Sequence, residues 1–200
     1  MMVESRKTVA DPSTAATRIH RCVRVIPLYV TGVEREAALS DFEAARAEWE
    51  SALAKVPDEA LVYLKAGDDY ALGGLQVHVN WVLVHYSRVL DAMVAGGFAP
   101  IGPKDATGEA EAANQKAKAG LTAAGRREAL TEMASLHQSV VRGVQGMAAD
   151  DWSRKASVVY GEGQDPYPTS PEDVIGWLRE HYREHVGQSA DLVASWRERG

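Results

Sequence analysis

The sequence predicts an all-α fold, a four-helix bundle with long crossing loops and an extended N-terminal arm. Three observations predict it. Long stretches carry apolar residues at spacings of three and four, strand-like segments are confined to the arm, and no repeat of solenoid period occurs. Two hundred residues fit one domain, here 31–200, preceded by an arm over 1–30 that is expected to be partly disordered.

Within the arm, 1–17 are polar and small. Residues 18–30 (RIHRCVRVIPLYV) are rich in β-branched residues and broken by Pro27, which suits a short strand or an extended segment. A first helix is expected to open at Ser40, with Glu43 three residues on as in a capping box and Phe42, Trp49 and Leu53 on one stripe. Pro57-Asp58-Glu59 begins a shorter helical turn carrying Leu61, Val62 and Leu64. From Leu72 to Ala95 the pattern is apolar nearly all round, which marks a central buried helix, and Gly96-Gly97 ends it.

Residues 98–120 are rich in Ala, Gly and Lys with two prolines, and read as a long flexible connection with at most some transient helix. A third helix spans Leu121 to Met147, with Leu130, Met133, His137, Val140, Val141 and Val144 on one side. Residues 149–169 read as a loop holding Trp152, Tyr160 and the turn-forming Asp165-Pro166. The last helix is the best signalled. Ser170 caps it, Pro171 takes its first position, Glu172 and Asp173 sit at the positive end of its dipole, and it continues to about Trp196.

Composition narrows the function. A hydrophobic fraction of 46% with 25% charged residues is enough for a sizeable core. The net charge of −6 argues against nucleic acid, which needs a basic face to displace counterions. Arg18, Arg21 and Arg24 form the one local basic cluster. The single cysteine, Cys22, excludes an internal disulfide and suits a buried inert thiol. No apolar run spans a membrane and no signal-peptide pattern appears, so a cytoplasmic location is expected.

The chemistry concentrates on the last helix. Val174, Leu178, His181, His185, Gln188 or Ser189, Leu192 and Trp196 share one face, and Glu172, Arg179, Glu180, Arg183 and Asp191 occupy the other. Both histidines therefore point inward, one turn apart, with Cβ atoms about 5–6 Å from each other. Inward imidazoles need a partner. A shared divalent ion would satisfy both, at Zn–N distances of about 2.0–2.1 Å. Hydrogen bonds to a Tyr, a Glu or a backbone carbonyl would do so too. Chance alone supplies roughly 0.2 His-x-x-x-His pairs in such a chain, so spacing does not decide between the two. A third ligand would come from His78, His85 or His137. His78 and His85 lie two turns apart on one face with Trp81 between them, about 10.5 Å along the axis, and cannot share one ion.

The stretch TSPEDVIGWLREHYREHVGQSADLV resembles the last helix of DinB/YfiT-like proteins, in which His-x-x-x-His is closely followed by Gln, here His181, His185 and Gln188. Upstream, DDYALGGLQVHVNW resembles that family's aromatic-led entry to its second helix, with Tyr70 eight residues before His78. DFEAARAEWESALAKVPDEAL and MAADDWSRKA resemble its first helix and the loop before its last, so the likeness covers about 40–195. It implies a four-helix bundle whose metal ligands are His78, His181 and His185, holding a divalent ion such as zinc or nickel. The chain departs from the family pattern in Tyr70 for Trp, in Gly73-Gly74, in the length of 98–120 and in the N-terminal arm. The choice between His78 and His85 stays open on these grounds.

Three imidazoles leave coordination positions free, as in a catalytic metal site. The resemblance implies a low-molecular-weight-thiol S-transferase or a thiol-dependent isomerase acting on small electrophiles, with the thiol as co-substrate and Cys22 not the nucleophile. A hydrolase using metal-activated water, or a non-catalytic metal- or ligand-binding stress protein, are the alternatives. Glu184, three residues after His181, is a candidate base or ligand-orienting group, or else a solvated glutamate. His137 is a candidate acid/base group, or else a core histidine. Trp81, Tyr86, Trp177 and Trp196 read as core or pocket walls. An apolar bundle face plus a free arm are compatible with a homodimer.

Overall fold

A computed structural model describes residues 32–102 and 108–199. The arm, with Cys22 and the basic cluster, lies outside the described residues. Among those described the chain is mostly helical, with α1 (Gly32–Ala54), α2 (Gly74–Ala95), α3 (Glu109–Ala119), α4 (Ala123–Gln145) and α5 (Pro171–Arg197). A two-stranded antiparallel hairpin, β1 (Ala156–Val158) and β2 (Tyr167–Thr169), precedes α5. No described helix is long and apolar enough to cross a membrane.

Helix α5 begins as its sequence predicts. Ser170 Oγ accepts from the Asp173 backbone N–H at 3.2 Å and the Asp173 carboxylate accepts from the Ser170 N–H at 2.9 Å, a reciprocal capping box ahead of Pro171. Its apolar face lies along α1, burying Phe42, Trp49, Leu53, Val174, Leu178 and Leu192. Helix α2 is the central one. It packs on α4, on α3 and on α5, which is why apolar residues surround it.

Three expectations are corrected. Helix α1 starts at Gly32, so Ser40 lies inside it and not at its cap. The Ser-x-x-Glu pattern is met wherever these residues fall three apart, and Glu34–Leu39 is already good helix-forming sequence. The stretch 98–120 contains α3. Its Glu, Ala and Lys residues favour a helix, but only Ala117 is fully buried, so no apolar stripe announces it. The loop over 149–169 is interrupted by a 3-10 turn at Ala149–Asp151 and by the hairpin, which is extended by a parallel bridge from Ile101 to Val158.

Gly73-Gly74, at the start of α2, permit a crossing. A Cβ on Gly74 would lie 1.7 Å from the Ala117 carbonyl oxygen, so only glycine lets α3 pass against α2 there. Gly120, at φ 74°, turns the chain where a Cβ would meet the Leu61 carbonyl at 2.4 Å. That same carbonyl accepts the Gly73 N–H at 2.8 Å, and the Ala117 carbonyl accepts the Ala71 N–H at 3.0 Å. The entry to α2 is thus tied down one turn before His78.

Candidate metal centre

The structure brings together His78 from α2 and His181 and His185 from α5, with one ligand nitrogen of each inside a group whose members all lie within 4.8 Å of one another. The ring centroids are 4.4 Å apart for His181–His185, 4.9 Å for His78–His181 and 5.4 Å for His78–His185, all with edge-to-face inclinations. His78 and His185 are buried, whereas His181 is partly exposed.

Neighbours hold each ring. His185 Nδ1 donates to the Gln188 side-chain oxygen at 2.8 Å, which leaves Nε2 with its lone pair facing inward. That Nε2 lies 3.2 Å from Nε2 of His181. Two imidazole nitrogens bound tetrahedrally to one ion at ordinary Zn–N distances stand about 3.3 Å apart, so the spacing fits a shared cation. His78 stacks on Tyr70 at 4.5 Å and has Trp81 at 6.3 Å, their planes inclined to its own by 21° and 22°. Trp49 of α1 backs His185 at 6.0 Å, and its indole N–H donates to Gln76 Oε1 at 2.7 Å.

The electrostatics favour neutral rings. Burial, reinforced by the neighbouring His185, pushes His78 down to about 3. Burial and the other two imidazoles hold His181 well below the ordinary histidine range. Burial also lowers His185, against the opposing influence of Gln188 and Glu184. Neutral imidazole is the metal-binding form, so the donor set is ready for a divalent ion at neutral pH.

The remaining sequence candidates fall elsewhere. His85 lies outside the group, stacked on Trp81 at 5.5 Å and edge-on to Tyr86 at 5.1 Å, so packing selects His78 of the two. His137 is fully buried in a different network. Its Nε2 meets Glu43 at 2.5 Å, its Nδ1 meets the Tyr182 hydroxyl at 3.2 Å, and Phe42 stacks on it at 4.0 Å. Burial pushes His137 down to about 4, against the raising effect of the Glu43 carboxylate. In the neutral ring Nε2–H donates to Glu43 and Nδ1 accepts from Tyr182. Both nitrogens are occupied. Glu184 is exposed on α5, next in the chain to His185.

Two features were not read from the sequence. One is the buried ladder in which Gln76 Nε2 donates to Asn80 Oδ1 at 2.6 Å and Asn80 Nδ2 donates to the Ala129 carbonyl at 2.9 Å and to Glu132 at 2.8 Å, joining α2 to α4. Two amides one turn apart in an otherwise apolar helix were its only signal. The other is Glu43 as the partner of His137, which no local pattern marks. A scan against protein-family models finds no match to the chain, and neither does a search of curated proteins.

Proposed function

We propose that the chain is a metal-dependent enzyme of the DinB/YfiT-like class, most consistent with a low-molecular-weight-thiol S-transferase or a thiol-dependent isomerase acting on small electrophiles. In this reading α1, α2, α4 and α5 are the four helices of the bundle, and α3 is an addition within a crossing connection. One observation carries the proposal: three inward imidazoles from two helices converge, two of them with Nε2 atoms 3.2 Å apart. One N–H···N hydrogen bond between neutral rings would join that pair at the same spacing, whereas a shared cation would engage the pair and His78 together.

His78, His181 and His185 would hold the ion, zinc or nickel by the chemistry of nitrogen donors. When bound, a divalent ion supplies Lewis acidity that lowers the pKa of a thiol and polarises an electrophile. The chain's own residues do the rest. Gln188 fixes which nitrogen of His185 faces inward, and Tyr70 and Trp81 fix the plane of His78. His181, the partly exposed member, marks the side from which small molecules reach the triad. Glu184, exposed beside His185, is the candidate proton acceptor at the rim. His137, enclosed by Phe42, Glu43 and Tyr182, acts in the packing of α4 against α1 and α5.

Metal analysis of the purified protein and of His78→Ala and His181→Ala tests the site. Stoichiometric metal in the native chain and its loss in both variants is the expected result; equal metal content in all three would refute it. A panel of low-molecular-weight thiols with a chromogenic electrophile tests the reaction, which should depend on both thiol and metal. Thiol-independent ester or amide cleavage would instead indicate a hydrolase.

A further inference from the structure

The imidazole triad is bordered by an unusual amount of aromatic surface. Tyr70, which precedes α2, is followed by His78, Trp81 and His85 along the helix, with neighbouring planes inclined by 21°, 22° and 26°. A second group continues from His85 through Tyr160 at 6.1 Å to Trp177, and Trp177 meets Tyr167 at 6.1 Å, with inclinations between 40° and 75°. Tyr70, Trp81, Tyr160 and Trp177 are all partly exposed, and Tyr167 is 46% exposed. Tyr70, Trp81, Tyr160 and Trp177 pack partly against the core, and Tyr167 joins them through Trp177. Scattered surface aromatics need no explanation, but a partly exposed run of rings that begins at the triad does.

We propose that the ring surface formed by Tyr70, Trp81, Tyr160, Tyr167 and Trp177 is a binding wall for a planar, electron-poor aromatic ligand, held beside the imidazole triad. Tyrosine and tryptophan faces are electron-rich, so a ring depleted by nitro, carbonyl or halogen substituents stacks on them with complementary quadrupoles. The nearly parallel steps from Tyr70 to His85 suit a flat ligand that continues the stack. A quaternary ammonium group asks instead for ring faces converging on one point. It would also be repelled by a divalent ion in the triad. In calling the ligand a substrate we rely on the triad being the reactive centre; its binding to the wall does not require the metal.

The test uses the full-length protein, metal-free and zinc-loaded, with 1,3-dinitrobenzene as the probe and cyclohexanol and tetramethylammonium as controls, followed by calorimetry. Dinitrobenzene should bind more tightly than either control in both metal states. Its affinity should fall about three- to tenfold in Trp81→Leu and in Tyr167→Leu, the size expected for one lost aromatic pair. Tyr167 is exposed enough that its replacement leaves the fold intact, which circular dichroism checks. In ¹H–¹⁵N spectra the indole N–H signals of Trp81 and Trp177 should shift on binding while those of the buried Trp49 and Trp152 stay in place. Equal affinity for dinitrobenzene and cyclohexanol, preference for tetramethylammonium, or unchanged affinity in both folded variants would each overturn the proposal. Metal content measured on the same samples separates these outcomes from a failure of the triad itself.

Discussion

The Gln188 side chain accepts a hydrogen bond from Nδ1 of His185 at 2.8 Å, and so turns Nε2 of that ring toward His181. The two residues lie three apart on α5, so the helix itself holds the amide against the imidazole. Gln188 is for this reason a positioning residue.

Replacing Gln188 by Leu should weaken metal binding about 10- to 100-fold, the usual effect of removing the group that orients a histidine ligand. Gln188→Glu keeps an acceptor at that place and should retain most of the affinity. Competition with a chromogenic chelator measures both, and identical affinities for native and Leu proteins would exclude the orienting role.

Tyr70 supports His78 by stacking at 4.5 Å. Tyr70→Ala should lower metal affinity about two- to tenfold, corresponding to one aromatic contact, while Tyr70→Phe should leave it unchanged because the ring and not the hydroxyl makes the contact. A loss of equal size in the Phe variant would show that the hydroxyl matters.

Gly74→Ala should destabilise the fold by about 2–3 kcal/mol, or about 5–10 °C in Tm, since the added methyl would overlap the Ala117 carbonyl and force α3 away from α2. Differential scanning calorimetry would show it. Gly176, where a Cβ meets nothing within 4 Å, is the matched control: Gly176→Ala should be neutral or stabilising.

Stability should fall as the solution is acidified from pH 6.5 toward 4. His137 binds its proton in the folded state only at about 4, against an ordinary value of 6.5, so in that interval the unfolded chain holds more protons and stability rises with pH. His78, down to about 3, adds to the same slope. The lowered Glu43 carboxyl contributes above its ordinary value of 4.5 and is lost only on further acidification. Urea denaturation at stepped pH measures the slope, and His137→Asn should flatten part of it. An unchanged slope in that variant would show that His137 is not excluded from protonation in the folded protein.

Much of this was legible along the chain. The face of α5, its cap at Ser170 and the inward aim of His181 and His185 follow from spacing, because a helix with one polar side has only one way to lie on a core. The third imidazole of the group was not legible in the same way. Helix α2 is apolar nearly all round, so its periodicity gives no direction to His78 or His85, and only the likeness to a known family favoured one of them. Packing against α5 made the choice. Helix α3 was legible only as transient helix because its burial is nearly confined to one alanine, and Ser40 misled because a capping pattern carries no mark of whether a helix has already begun.

Contacts at long sequence separation account for what remained. Glu43 and His137 stand 94 residues apart, and Tyr160 reaches His85 and Trp177 only after the hairpin has folded back beside α2. Local periodicity records how one helix faces a core and which residues sit one turn apart. It holds no information on which turn of a neighbouring helix will lie opposite, and that depends on side-chain volumes and on glycine crossings such as Gly74 against Ala117. The pair His181–His185 was therefore readable from spacing, whereas the triad and its aromatic border exist only through the packing of α2 against α5.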